Sequence, residues 1–234
     1  MTKIDVRPAA ERFHTRAGWL DSNHSFSFAR HHDPDNTHHG LLLVSNDDRV
    51  RAGTGFSTHP HRDMEIVTWV LSGRLEHKDS EGNHGEIYPG LAQRMSAGRG
   101  IYHSEMNPSA DEDVHFIQMW VLPDEKGYDP GYQEGSVTTD LAGGGLVKVA
   151  SGHGDSAIHI NQRDAALYVA RLAPSGSTEV PDGAHVHVFV AVGDADLEQA
   201  GPLHAGDAVR LTAAGQRRIT AGAKGAEVIV WATA

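Results

Sequence analysis

The sequence contains no cysteine among its 234 residues. Disulfides, thiolate zinc sites, iron–sulfur clusters and catalysis by a thiol are therefore excluded. The sequence also lacks long apolar segments, since no run approaches the roughly 20 residues that a membrane-spanning helix needs. Its first residues, MTKIDVRPAAERFH, lack the apolar stretch of a secretory signal. We therefore expect a cytoplasmic protein that does not bind a membrane.

Basic charge is scarce as well. There are 20 Lys and Arg residues against 31 Asp and Glu residues, which gives a formal net charge of −11 at pH 7. A surface that binds nucleic acid needs clustered Lys and Arg to neutralise phosphates. The basic pairs in this chain, such as Arg217 and Arg218, are too short to form such a surface. We expect no nucleic-acid partner.

Helical periodicity is the third scarce feature, and strand patterns take its place. Short runs of β-branched and aromatic residues alternate with Gly, Asp, Asn and Pro, which is typical of strands joined by tight turns. The runs lie at 40–45, 65–71, 114–122, 146–150, 166–172, 186–192 and 227–231. This pattern predicts an all-β fold, either a sandwich or a barrel.

The chain divides near residues 123–135, where PDEKGYDPGYQEG replaces apolar alternation with Pro, Gly and charge. The two sides resemble each other weakly. Each has a His-x-His pair leading into an apolar strand, at 58–71 and at 184–193. We expect two jelly-roll β-barrel domains of related design, at residues 1–133 and 134–234.

Histidine is what the sequence has in excess, with 17 residues. His59 and His61 lie two positions apart beside a strong strand pattern. Side chains at i and i+2 of a strand point to the same face, so both imidazoles can reach one ion, while Pro60 points away. Taken alone, the pair is equally consistent with two structural histidines.

The residues around this pair narrow the choice. Gly53, His59-x-His61, Glu65 and Gly73 follow spacing that resembles the first cupin motif. Downstream, Gly100-x-x-His103-x-x-x-Asn107 resembles the end of the second cupin motif. The resemblance implies a cupin barrel that holds one divalent metal ion.

Longer segments resemble the pirin family, in the branch that includes quercetinase-like bacterial members. These are GWLDSNHSFSFA at 18–29, GTGFSTHPH at 53–61, the stretch that continues to residue 83, and MSAGRGIYHSEMNPS at 95–109. The resemblance runs from about residue 6 to 133 and implies a protein of two cupin domains, or bicupin. It implies the metal ligands His59, His61, His103 and Glu105.

The position of the carboxylate ligand has two candidates. A generic cupin would use Glu65, whereas the resemblance to pirins implies Glu105. Glu105 lies two residues from His103, so on one strand their side chains would point to the same face. Glu65 lies four residues from His61, which is also an even spacing, so this rule excludes neither glutamate. The family pattern favours Glu105, and we expect Glu65 to hydrogen-bond to a ligand instead.

Three imidazoles and a carboxylate suit Fe(II), and also Zn, Mn, Co, Ni or Cu. The resemblance implies Fe(II). It also implies an oxidoreductase resembling quercetin 2,3-dioxygenase, which opens the ring of a flavonol-like aromatic substrate with O₂ and releases carbon monoxide. Glu105 is then the candidate catalytic base. The alternative is a metal-dependent redox sensor or regulatory binding protein without turnover, acting through a protein partner.

The second His-x-His pair, His185 and His187, lacks the partners of a metal site. No glutamate follows within five residues, and the later segment GPLHAGDAVRLTAAG offers only His204. We expect a degenerate C-terminal cupin without metal that packs against the first domain.

Six other histidines are assigned to structure. Four of them, in ARHHDPDNTHHG at 29–40, are expected in a surface loop, with a lid over the barrel mouth as the alternative. Two more, His77 and His115, fall in strands and are expected to be satisfied by structural contacts rather than to bind metal.

Overall fold

The computed structural model describes residues 2–234, and it confirms the all-β prediction. It contains 20 strands, a short 3₁₀ turn at Ala9–Glu11 and one four-residue helix, α1, at Thr138–Leu141. Within these residues, no helix is long and apolar enough to cross a membrane.

The N-terminal domain is built from two antiparallel sheets. A seven-stranded sheet has the order β12-β9-β6-β11-β4-β3-β2, and a four-stranded sheet has the order β5-β10-β7-β8. The strands are β2 (Phe13–Ala17), β3 (Leu20–His24), β4 (Leu42–Val50), β5 (Gly55–His61), β6 (Glu65–Ser72), β7 (Leu75–Asp79), β8 (His84–Ile87), β9 (Leu91–Ser96), β10 (Ile101–Met106), β11 (Val114–Val121) and β12 (Gly131–Ser136). Apolar side chains such as Val70, Leu75 and Phe116 fill the space between these sheets.

The C-terminal domain is a nine-stranded sheet with the order β1-β19-β17-β20-β15-β13-β14, to which β16 and β18 are attached. The strands are β1 (Lys3–Arg7), β13 (Val147–Ser151), β14 (Ile158–His159), β15 (Ala165–Leu172), β16 (Ser177–Val180), β17 (His185–Leu197), β18 (Gly201–His204), β19 (Ala208–Thr212) and β20 (Arg217–Thr233). The register of β17 on β20 is irregular around Val190–Ala195. Bulges increase local bending, and the bend lets both long strands wrap around a second apolar core.

The largest apolar cluster lies between the two domains. Side chains from both halves contribute to it, including Trp69 and Met119 from the first domain and Phe189 and Trp231 from the second. Trp69 Nε1 donates a hydrogen bond of 2.6 Å to Glu227 across this boundary. The interface therefore resembles the interior of a single protein, as expected of domains that are packed permanently.

Every strand pattern found in the sequence overlaps an observed strand. The ends of the strands are less predictable, because β17 and β20 extend well beyond the apolar runs that mark them in the sequence. Two pairings also cross the predicted division. The first strand, β1, pairs with β19 of the second half, and β12, which spans residues 133 and 134, pairs with β9 of the first.

Candidate metal centre

Two neighbouring strands bring three histidines together. His59 and His61 lie on β5, and His103 lies directly opposite His59 on β10. The ring centroids are 4.5 Å apart for His59 and His103, and 4.9 Å apart for the other two pairs. One nitrogen of each ring lies within 4.8 Å of the other two, and among residues 2–234 this is the only such group of metal-binding side chains. The structure therefore brings His59, His61 and His103 together, as their assignment to one metal site requires.

Small residues let the two strands approach. Any Cβ at Gly55 would collide with the backbone oxygen of Glu105, so glycine is needed where β5 passes the register shift of β10. Pro60 is exposed and points away from the cluster, as its position between the two histidines predicts.

The tautomers of two rings follow from their neighbours. The Nδ1–H of His59 donates to the carbonyl oxygen of Ser57 at 2.8 Å, because that oxygen can only accept. When the ring is neutral, its Nε2 therefore carries a lone pair. Asp79 accepts from the Nε2–H of His77 at 3.1 Å, which leaves His77 Nδ1 as an acceptor for the Nδ1–H of His103, 3.4 Å away. His103 Nε2 then also carries a lone pair.

These lone pairs face each other. His59 Nε2 and His103 Nε2 are 3.1 Å apart, and the buried Nε2 of His61 has no hydrogen-bond partner. Two acceptor nitrogens facing each other, beside a third ring nitrogen without a partner, are unfavourable unless a cation lies between them. The residues therefore fit a divalent metal ion held by three imidazoles.

Glu105, on the same strand as His103, is buried beside the cluster. Its Oε2 accepts a hydrogen bond of 2.7 Å from Gln118 Nε2, and Gln118 Oε1 accepts one of 3.2 Å from Trp120 Nε1. An indole N–H can only donate, so the orientation of the Gln118 amide is fixed, and its NH₂ faces Glu105. Glu105 lies outside the group of converging nitrogens, so its role as a ligand remains a prediction.

Glu65 differs from the sequence-based expectation. Its carboxylate accepts hydrogen bonds from Ser96 Oγ at 2.7 Å and from the backbone and side chain of Asn161 at 3.1 and 3.2 Å. The prediction that it hydrogen-bonds to a metal ligand is wrong. The chain turns between His61 and Glu65, where Asp63 has a φ of +49°, so the two residues lie on strands of different sheets. Because a turn separates His61 from Glu65, their even spacing does not predict that the two side chains point to the same face.

His77 is the residue that sequence reasoning missed. It is fully buried and links Asp79 to His103. It was expected to have only structural contacts, because a lone strand histidine carries no sign of its neighbour. The pairing of β7 with β10, which places His77 opposite Glu105, brings it against the cluster. Such partners hold a metal-binding ring in one orientation and one tautomer.

We expect His77→Phe to weaken metal binding by about 10–100-fold without abolishing it, because the three histidines remain but His103 loses its acceptor. Competition with a chelator measures the change. His115→Phe is the matched control, since His115 is also a buried strand histidine but pairs with Asp47 at 2.6 Å. Equal weakening in both variants would mean that the effect is a general loss of stability.

Burial favours the neutral form of two rings of the cluster, His61 and His103. Desolvation and the neighbouring histidines lower the pKa of His103 to about 2, and the same causes lower the pKa of His61 to about 4. Burial raises the pKa of Glu105 to about 7, against the opposing hydrogen bond from Gln118. Asp48, another buried carboxyl group, has its pKa raised by burial to about 7 as well. Neutral imidazoles are the form that binds metal.

Acid is expected to destabilise the metal-free protein. Burial lowers the pKa of six histidines: His24, His39, His61, His77, His103 and His187. Below their ordinary pKa of about 6.5, these histidines bind protons in the unfolded chain but not in the folded protein. The free energy of unfolding therefore decreases as the pH is lowered. The two raised carboxyl groups oppose this, but they are fewer. Urea unfolding should show a falling free energy of unfolding from about pH 6.5 to pH 4; a flat or rising profile would contradict the prediction.

An aromatic wall stands beside the cluster. The Trp120 ring meets His61 edge-on, with centroids 4.9 Å apart, and Phe28 meets Trp120 at 5.5 Å. A cleft of about 460 Å³ opens at His61 and is bordered by Arg62 and Tyr102. Trp120 is only partly buried. His61 is the member of the cluster that lines this cleft, and Pro60 also lines it.

The histidine-rich segment at 29–40 is divided between surface and interior. His32 and His38 are exposed, as expected of a surface loop. His31 is half-buried and stacks on Phe13 with centroids 5.3 Å apart, and His39 donates to the carbonyl oxygen of Leu211 at 3.0 Å. The segment therefore packs against both domains.

The two histidines of the second His-x-His pair have different surroundings. His185 donates to the backbone oxygen of Ala234 at 2.9 Å, and its ring meets that of His39 edge-on. His187 is buried against Phe26, with centroids 5.6 Å apart. It alternates with Val186 and Val188 of the second core, so it faces the interface between the domains. These two histidines do not converge in the way that His59 and His61 do.

Comparison with known sequences finds two families. The sequence model described as Pirin matches residues 6–121, and the model described as Quercetinase C-terminal cupin domain matches residues 148–231. The Mycobacterium tuberculosis protein "Putative quercetin 2,3-dioxygenase Rv0181c" is 54% identical over 97% of this chain and 94% of its own length. "Quercetin 2,3-dioxygenase" of Escherichia coli K12 is 52% identical over 56% of this chain and 57% of its own length.

Solved structures of related proteins have the same fold as this chain. The crystal structure of YhhW from Escherichia coli superimposes with a TM-score of 0.91 at 36% identity, covering 99% of this chain and 98% of that one. A crystal structure of the bacterial pirin YhhW in complex with nickel(II) gives a TM-score of 0.89 at 36% identity, covering 98% of both chains.

Proposed function

Because this chain belongs to the pirin family, we propose that it is a metal-dependent dioxygenase that opens the ring of a flavonol with O₂. The observation that carries the proposal is the convergence of three imidazole nitrogens, two of them 3.1 Å apart. Relatives named as quercetin 2,3-dioxygenases support the substrate class.

We propose that His59, His61, His103 and Glu105 hold one divalent ion. When bound, it supplies Lewis acidity toward a phenolic or enolic oxygen and, if redox-active, a route for electrons to O₂. Fe(II) is our proposed occupant, and the nitrogen-rich donor set also suits nickel, which the related YhhW structure contains.

Glu105 is placed to receive the proton of the substrate hydroxyl. In the metal-free protein burial raises the pKa of Glu105 to about 7, and a bound cation would lower it and favour the carboxylate form that accepts a proton. Gln118 donates to Oε2 of the carboxylate, so Oε1 is the oxygen that would hold the ion and would take the proton when it leaves the ion. The Glu105 carboxyl and the Trp120 indole are thus linked through one amide, which aligns the base with the aromatic wall.

The wall favours a flat aromatic substrate. Trp120 and Phe28 present ring surfaces beside His61, and aromatic pairs in such arrangements contribute about 0.5–1.5 kcal/mol beyond the area they bury. A flavonol packed against this wall would lie beside the histidine cluster, with its 3-hydroxyl directed at the ion and at Glu105. Addition of O₂ to the heterocycle and release of carbon monoxide then account for every atom of the substrate.

The test uses protein purified without oxygen, loaded with Fe(II), and supplied with quercetin and air-saturated buffer. We expect equal amounts of O₂ consumed and carbon monoxide released, and none from metal-free protein. Tight iron binding without oxygen uptake on any flavonol or enediol would overturn the enzymatic proposal in favour of a redox sensor.

A further inference from the structure

One segment of the chain runs from the first domain towards the second beside the ends of the strands that carry the histidines. This crossing segment, residues 123–129, follows β11 and precedes β12. Two turns of the first domain are bonded to it. The first turn, residues 62–64, joins β5 to β6, and the second turn, residues 97–100, joins β9 to β10. Since β5 ends at His61 and β10 carries His103, both turns border the ligand strands.

Hydrogen bonds join the two turns to each other and to the crossing segment. The N–H of Asp63 donates to the carbonyl oxygen of Gly98 at 2.8 Å, which connects the turns. The N–H of Gly127 donates to Asp63 Oδ1 at 2.8 Å. The N–H of Arg99 donates to the carbonyl oxygen of Tyr128 at 2.7 Å. The crossing segment therefore bridges the turn that follows β5 and the turn that precedes β10.

His61 is the histidine that depends most on these bonds. It is the last residue of β5, which lies at the edge of its sheet and, among the described residues, pairs with β10 alone. The end of a strand is where the backbone opens most easily. His59 lies inside β5, directly opposite His103, and its ring is held by the bond to Ser57. The crossing segment supports the chain just beyond His61, where no further strand residue does so.

The crossing segment is also attached to the C-terminal domain. The N–H of Asp124 donates to the carbonyl oxygen of Asn161 at 2.7 Å. The Asp124 carboxylate accepts from the backbone N–H and the side chain of Arg163 at 3.2 and 3.1 Å. These bonds hold one end of the segment in place while its other end contacts the turns. The C-terminal domain is thereby connected to the turn that follows His61.

On the basis of the proposed metal site, and independently of the reaction there, we propose that the crossing segment positions His61 through Asp63, and that metal binding and the closed position of the segment stabilise each other. While Gly127 donates to Asp63, the end of β5 keeps its register with β10. The His61 ring then stays beside those of His59 and His103. When the bond opens, the strand end is released and His61 loses its fixed position. Because such a coupling is reciprocal, the bound ion in turn favours the closed segment.

Two substitutions at Asp63 separate its hydrogen bond from its charge. Asp63 has a φ of +49°. Asp63→Gly adopts this conformation freely but removes the acceptor, whereas Asp63→Asn tolerates it and keeps an accepting oxygen without the charge. Competition with a chelator measures the dissociation constant of nickel(II). We expect it to rise about 2–30-fold in Asp63→Gly, the usual range for coupling through a remote contact, and to stay close to the parent value in Asp63→Asn.

Controls distinguish positioning from a general effect. Gln199→Gly changes another exposed turn residue of positive φ, at +68°, and should leave the dissociation constant unchanged. Urea unfolding of the metal-free variants measures stability separately. A lower free energy of unfolding in Asp63→Gly with an unchanged dissociation constant would overturn the proposal, because the turn would then be merely structural. An equal loss of affinity in Asp63→Gly and Asp63→Asn would also overturn it, since the charge would then be responsible. A parent protein that binds no nickel(II) would contradict the metal site itself.

Lys126 allows the reciprocal effect to be measured on the unaltered protein. Lys126 is exposed, and trypsin cleaves the peptide bond that follows it, whose N–H is that of Gly127. Cleavage requires the segment to open, and its rate follows the open fraction when opening is fast. Saturating nickel(II) should therefore slow the appearance of the fragments 1–126 and 127–234 by about 2–30-fold, the factor by which opening weakens metal binding.

Mass spectrometry follows the two fragments, and a short peptide substrate in the same sample corrects for any effect of nickel(II) on trypsin. In Asp63→Gly the cleavage should be faster than in the parent protein, and nickel(II) should protect less. Equal cleavage rates of the parent protein with and without nickel(II) would overturn the coupling. If Asp63→Gly fails to fold, this measurement on the parent protein alone decides the proposal.

Discussion

Replacing His103 with alanine is expected to remove nearly all bound metal and all flavonol oxygenation. His103 is the most buried of the three histidines, at 1% exposure, and its Nε2 is the nitrogen 3.1 Å from that of His59. Two half-buried imidazoles on one strand cannot surround an ion. Without the ion, neither the substrate oxygen nor O₂ is activated. Elemental analysis and oxygen uptake on the same sample measure both losses.

Two comparisons make this result interpretable. His32→Ala removes an exposed histidine of the loop at 29–40 and should leave metal content and activity unchanged. Circular dichroism should show that His103→Ala keeps its strands, because the barrel core of Leu75, Val70 and Phe116 is untouched. If the variant retained half of the metal, a second site would have to exist near His185 and His187. The degenerate assignment of the C-terminal domain would then be wrong.

The histidine cluster was predictable in part because it depends on a short-range rule. Alternation along a strand places His59 and His61 on one face. The resemblance to the cupin and pirin motifs, rather than a local rule, implied that His103 would join them. The alternation rule failed for Glu65, because four residues that include a turn at Asp63 do not form a continuous strand. The rule that residues two or four positions apart face the same way holds only within one strand. The sequence does not mark where β5 ends.

His77 illustrates a second limit. Its place behind His103 depends on which strands pair and in what register, namely β10 between β5 and β7. Neither fact is encoded near residue 77. The pairing of β1 with β19 is similar, since it joins residues about 200 positions apart, such as Val6 and Val209. Local patterns identify strands, but contacts across the fold decide which polar groups meet.

Glu105→Gln is expected to lower flavonol oxygenation by about 10²–10⁴-fold, the usual effect of removing a general base. The amide cannot accept the hydroxyl proton. Gln118 keeps its NH₂ directed at position 105, because Trp120 fixes its orientation. The new side chain must therefore turn its oxygen toward Gln118, which leaves an NH₂ where a carboxylate oxygen was free. That group cannot bind a cation, so metal affinity should also fall.

The fold should survive this change. A carboxyl group whose pKa is raised to about 7 by burial is an unfavourable occupant of the metal-free barrel, and a neutral amide removes that cost. We expect the free energy of unfolding of metal-free Glu105→Gln to equal or exceed that of the parent protein. Metal content, activity and urea unfolding are therefore measured together.

Glu65→Gln is the matched comparison, and its expected pattern is the opposite. Glu65 accepts from Ser96 and twice from Asn161 at the domain interface, so an amide NH₂ there would face a donor. Stability should fall by about 1–3 kcal/mol, the usual cost of an unsatisfied buried group. Metal and activity should remain, because Glu65 touches none of the three histidines. If Glu65→Gln instead emptied the site while Glu105→Gln stayed loaded and active, Glu65 would be the carboxylate ligand, as in a generic cupin. The interface contacts would then have to rearrange when metal binds, since the Glu65 carboxylate cannot both accept from Asn161 and reach the histidine cluster from its present position.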